Sequence, residues 1–135
     1  MKPLLGAVMV VMSVQLASCA APSLPLTAPP ATVPEAAKYN AEGIAHYNKG
    51  RWGIARKYFE AAVKADPKSA EAHYNLALVL DGLGANATAD EEFKKAAALA
   101  PGNTAITESS AYRNHVRTRF DFDYGHGYGG SGEIN

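Results

Sequence analysis

The stretch from Ala36 to Asn103 reads twice through one pattern at an offset of 34 residues, and this constrains the fold more than any other feature of the chain. Laying residues 36–69 over 70–103 brings Gly43 onto Ala77, Gly50 onto Gly84, Ala55 onto Ala89, Phe59 onto Phe93, Ala62 onto Ala96 and Pro67 onto Pro101. The chain is rich in alanine, so the alanine matches carry little weight. A glycine, a phenylalanine and a proline returning together carry more. A period of this length marks a supersecondary unit that buries its apolar face by stacking on its own copy.

Within each copy the spacing is helical. Tyr39, Gly43, His46 and Tyr47 share one face of a first helix, and Trp52, Ala55, Phe59, Ala62 and Val63 share one face of a second. Gly50 and Arg51 form the turn between them, and Asp66-Pro67 ends the second helix because proline disfavours helical geometry in the residue before it. The second copy predicts a helix over 70–83, a turn at Gly84, a helix over 86–100 and a stop at Pro101-Gly102. Asn86 opens a glycosylation sequon, but a side chain that caps the helix start explains it more simply. The small residues at 43, 55 and 62, with their copies, suit a close helix crossing, where a long side chain would push the axes beyond about 8 to 10 Å.

These residues resemble the tetratricopeptide repeat family. The resemblance implies an all-α fold, an α-solenoid of two helix-turn-helix repeats over 36–69 and 70–103. It also implies that first helices line a concave, ligand-binding face while second helices form the outer wall. Carried over position by position, the inward candidates are Asn40, Ile44, Tyr47 and Asn48, then Glu71, Tyr74, Asn75, Leu78 and Asp81. Tyr47 and Tyr74 would offer rigid contact area, and Asn75 is suited to pairing with the backbone of an extended peptide. The alternative is that Tyr47, Tyr74 and Leu78 pack against each other or beneath the tail. Of the carboxylate clamp known in the family only Asn75 matches, since Asn40, Ile44, Ala105 and Ser109 stand where its other residues belong. A terminal carboxylate would therefore lack charge-assisted bonds.

Upstream of the repeats, Lys2 precedes an apolar run from Leu4 to Leu16 and the small residues Ala17 and Ser18, the pattern of a secretory signal peptide over 1–18. The run is shorter than the about 20 residues of a bilayer span. Leu16-Ala17-Ser18-Cys19 resembles the bacterial lipobox, which implies lipidation of Cys19, for example with palmitate, as the new N-terminus. The alternative is a conventional cut near Ala20 with Cys19 incidental. Ala20, where inner-membrane lipoproteins often carry aspartate, points to the periplasmic face of the outer membrane. Residues 19–35 hold Pro22, Pro25, Pro29, Pro30 and Pro34, so a flexible tether is expected. Its sixteen residues from Ala20 would reach up to about 50 Å from the lipid surface.

Downstream, residues 104–118 read as a capping helix with Ile106, Ala111 and Tyr112 as contacts, although Ser109 and Ser110 weaken it. Two repeats are fewer than the about three that usually suffice, so this cap, self-association or a partner must supply the missing burial. Val116, Thr118, Phe120, Phe122 and Tyr124 then alternate with polar residues, a strand signal with no sheet to join. Strand addition to a partner's sheet, pairing with its own copy in a dimer, and an extended, unpaired chain all remain open there. Residues 119–135 read as a flexible Gly/Tyr-rich tail.

Thirteen basic residues balance thirteen acidic ones, so nucleic acid is not an expected partner. The single cysteine allows neither an internal disulfide nor a multi-thiolate site. His46, His73, His115 and His126 are scattered, and the first two occupy positions of packing aromatics. Asp121, Asp123 and His126 fail the calcium-loop spacing, with Gly132 at the twelfth position. No nucleophile stands near a base, so neither an enzyme nor a cofactor or metal is expected. The sequence predicts a lipid-anchored periplasmic adaptor that binds a protein or peptide of the cell envelope. The alternative is a self-associating, homo-oligomeric structural lipoprotein of the envelope without a peptide ligand.

Overall fold

The computed structural model describes residues 23–116. The expected signal peptide, Cys19 and the expected tail over 119–135 lie outside the described residues. Among the described residues six helices follow one another: α1 (Pro34–Asn48), α2 (Trp52–Ala65), α3 (Ala70–Gly82), α4 (Asn86–Leu99), α5 (Thr104–Thr107) and α6, described over residues 110–116. Among the described residues there is no strand, and no helix is long and apolar enough to cross a membrane. α1 with α2, and α3 with α4, form two helical hairpins, and α2 packs on α3 to join them.

The local signals act where the repeat places them. Gly50 and Gly84 take φ of 68° and 78°, a left-handed geometry that glycine adopts without a Cβ penalty and that reverses the chain after α1 and α3. Ser69 Oγ accepts from the Ala72 N–H at 3.2 Å and caps α3. Proline stands in the first turn of α1, where its missing N–H costs nothing, so the helix begins at Pro34, inside the segment expected to be tether. Asn86 does not cap α4: the turn at Gly84 puts Ala85 in the flanking position and makes Asn86 the first helical residue.

Ala55, Ala62, Ala89, Ala96, Phe59 and Phe93 have no exposed surface, as the small-residue register requires. A Cβ added to Gly43 would stand 2.5 Å from Cε1 of Phe59, so the closeness of α1 and α2 depends on that missing carbon. In α3 every residue from 72 to 80 is buried. A helix buried on all sides needs cover beyond its two helical neighbours. That cover comes from the two flanks of the repeat pair, since Leu26 on one side and Ala111 and Tyr112 on the other pack against the core.

The expected cap exists but is broken. α5 is one turn, capped by Asn103, whose Oδ1 accepts from the Ala105 N–H at 3.1 Å. Ser109 then interrupts the helix. Its hydroxyl donates to the Ile106 carbonyl at 2.9 Å and accepts from the Tyr112 N–H at 3.1 Å, so it closes α5 and starts α6. The kink seats fully buried Ile106 and lays Tyr112 and His115 over Phe93, with ring centroids 6.4 and 5.0 Å away. His115 also meets Asp81 at 3.0 Å through Nε2 and Asp90 through Nδ1, which ties α6 to α3 and α4.

Candidate functional site

Two of the expected groove residues, Asn40 of α1 and Asn75 of α3, meet where a segment of the chain itself lies against these helices. Asn75 points from α3 toward Leu26. Its Oδ1 accepts from the Leu26 N–H at 2.7 Å, while its Nδ2 donates to the Leu26 carbonyl at 2.7 Å and to Asn40 Oδ1 at 2.7 Å. Asn40, from α1, donates through Nδ2 to the same carbonyl at 2.9 Å. A carboxamide has one acceptor and two donors, so a single asparagine can read the N–H and the C=O of one residue. Both asparagines are buried, and these bonds satisfy them.

Asn40 and Asn75 are not repeat equivalents. Under the 34-residue offset Asn40 overlies Tyr74 and Asn75 overlies Ala41, so the pair arises where the repeats differ. The bound segment is fixed again at Ser23, whose Oγ lies 2.9 Å from Ser110 Oγ and accepts from the Ala111 N–H at 3.0 Å. Between these points Leu24 is 64% exposed, Pro25 is half-buried and the Leu26 side chain packs on the core. A turn closed by the Thr32 N–H on the Pro29 carbonyl at 3.0 Å then leads into α1. The described part of the segment expected to be a flexible tether thus meets the helices at Ser23 and Leu26 and enters α1 at Pro34. Its prolines keep the chain extended, which lowers the entropy lost on docking, and Leu26 adds apolar burial.

The other expected groove residues divide. Ile44 and Tyr47 are half-buried and Leu78 is buried. With Trp52, Asp81, Gly82 and Ser23 the last two line a recess of about 240 Å³ beside the docked segment. Tyr47 stacks on Trp52 at 6.4 Å, and Trp52 lies over Gly82, where an added Cβ would come within 3.3 Å of its ring. Burial, then the nearby Tyr74 and Asp81, push the Tyr47 hydroxyl above its usual pKa, so it stays a neutral donor. Asn48 is exposed at the end of α1. Glu71 accepts from Asn103 Nδ2 at 3.2 Å and links α3 to the cap. Tyr74 is 1% exposed and packs edge-on against Phe93 at 5.7 Å, so it belongs to the core and offers a ligand no surface. Asp81 is exposed and engaged by His115.

Residues 40–104 match the family model described as Tetratricopeptide repeat. Over those residues, just under half of the chain, the two hairpins are of tetratricopeptide type. Repeats of that family generally mediate protein–protein interaction; here Asn40 and Asn75 hold Leu26 of the chain itself. Comparison with curated proteins gave no match. Sequence reasoning missed Ser23, Leu26 and Trp52 as parts of the site. The signal for the first two was the pair Leu24 and Leu26, bulky residues in a stretch, residues 20–32, otherwise made of Ala, Pro, Ser and Thr.

A second polar cluster sits away from the groove. His73 bridges α3 to Glu92 of α4 at 2.6 Å and to the Pro67 carbonyl at 2.9 Å, and Lys95 meets the same carboxylate at 2.7 Å. Burial pushes Glu92 up, but the hydrogen bonds from Lys95 and His73 outweigh it and hold the carboxyl below its usual value. His46 stacks on Tyr58 at 5.3 Å, a packing role like that expected of it. Among the described residues no group of three His, Cys, Asp or Glu side chains is placed to hold a metal ion.

Proposed function

We propose that this chain is a lipid-anchored adaptor of the bacterial envelope, whose tetratricopeptide groove takes an extended peptide of a partner protein. The observation that carries the groove is the Asn75 carboxamide, which holds both polar groups of one peptide residue in the absence of any sheet. That geometry recognises backbone, and backbone recognition suits a partner offering an extended stretch. The anchor rests on Leu16-Ala17-Ser18-Cys19 and the apolar run before it. Two or three acyl chains on Cys19 would hold the protein stably, at about 0.8 kcal/mol per buried methylene. The outer membrane is the favoured address because Ala20 follows the cysteine.

Metabolic labelling with palmitate tests the anchor: the chain should incorporate label and Cys19→Ala should not. Crosslinking in intact cells tests the groove. The unaltered chain should capture an envelope protein that Asn75→Ala captures less; the same set with both, or none, would count against a groove ligand.

A further inference from the structure

A partner peptide cannot use Asn75 while Leu26 does. The asparagine commits its acceptor and both amide protons to Leu26 and Asn40, and Asn40 commits its own carboxamide to Leu26 and Asn75. Any second backbone that reaches this floor must displace residues 23–26. The docked segment is suited to leaving. It is held by one clamped residue and one serine, its Leu24 faces solvent, and Pro25 has no N–H to add to the contact. On release, water can replace Leu26 at both carboxamides, so the open groove leaves no stranded polar group.

We propose that residues 23–26 are a built-in, displaceable ligand of the groove, and that the partner carries the same chemistry: an extended apolar–proline–apolar stretch, uncharged at the clamped position. The inference rests on the reading that the groove takes a peptide. The clamped residue needs an N–H, so it is not itself proline; the residue before it is proline, which holds it extended. Its side chain enters an apolar seat against the core.

Displacement also changes the reach of the anchor. Cys19 stands four positions before Ser23, a span of at most about 14 Å. With the segment docked, the proposed lipid is therefore held close to the groove. With it released, the whole tether up to α1 is free to extend toward about 43 Å. Partner binding and distance from the membrane are thereby linked.

The test is fluorescence anisotropy with a labelled peptide of residues 23–30, titrated with the purified full chain, with Leu26→Pro, with Asn75→Ala and with the double variant. Leu26→Pro deletes the N–H that Asn75 reads and leaves the groove itself intact. If the docked form holds about nine-tenths of the molecules, that variant should bind the peptide about tenfold more tightly than the unaltered chain. Asn75→Ala should lose that gain, alone and in the double variant. A peptide with proline at the clamped position should not bind. Leu26→Gly, which loses only the side-chain seat, gives a second route to release should Leu26→Pro misfold, as judged by far-ultraviolet circular dichroism. Equal, Asn75-dependent affinity in the unaltered chain and both Leu26 variants would overturn the built-in ligand and leave the groove reading standing. No binding by any folded form would overturn both. A dimer in sedimentation that dissociates with Leu26→Pro would show the segment exchanged between copies and overturn docking within one chain.

Discussion

At Gly43 one missing carbon sets the distance between α1 and α2. The second repeat has Ala77 in the same place, yet a Cβ at 43 would run into the fully buried ring of Phe59. Gly43→Ala should therefore destabilise the protein by about 1 to 3 kcal/mol through overpacking, although alanine gains about 1 kcal/mol in a helix interior. Urea denaturation reads the difference. Glu92 shows a second residue-scale effect, and here the sign follows from its depressed pKa. A group whose folded pKa lies below its unfolded value contributes stability above the unfolded value and loses it as pH falls through the folded one. The ordinary glutamate value is 4.5, so Glu92→Gln should cost about 1 kcal/mol near pH 6. Urea midpoints of the two proteins should converge as the pH is lowered below that value.

At the scale of elements, the four repeat helices were legible because their signals are local and doubled. Gly50 and Gly84 turn, Pro67 and Pro101 stop, and the alanines return on one face. Ala89 lies at the crossing of α3 and α4 with no exposed surface. Ala89→Leu should lower stability by about 1 to 3 kcal/mol, and a melting temperature equal to that of the unaltered protein would contradict the register. The break in the cap was less legible. Ser109 weakens a helix in any reading, but only contact with Ile106 and Tyr112 shows that it ends one helix and begins another. α3 likewise looks like one more amphipathic helix until its flanks are covered. Its nine consecutive buried residues follow from position in the molecule, with the tether and α6 closing faces that α2 and α4 leave open.

For the whole molecule, two repeats hold together because both flanks of the chain return to them. α6 covers Phe93 on one side, and Leu26 covers the inner face on the other. The second closure is measurable by hydrogen exchange. The Leu26 amide, bonded to Asn75, should exchange slowly in the unaltered protein and at close to the free-chain rate in Asn75→Ala, with the α4 core amides unchanged. Equal exchange of Leu26 in both proteins would contradict the docking. The same closure explains how a proline-rich spacer can act as part of a folded domain.

The sequence by itself determined the period, the four helices, their turns and stops, and the small residues at the crossings, because each depends on residues within one or two helical turns of each other. The family resemblance put Asn40 and Asn75 among the inward candidates. Tertiary structure alone decided what those asparagines hold, which of the tyrosines is core and which lines the recess, and where the cap breaks. Leu26 and Asn75 are separated by 49 positions. Composition marked the first as spacer, and no local rule connects it to the second. The contact exists because folding of the repeats builds a matched donor and acceptor pair at the one place where an extended, proline-led backbone can return to meet it.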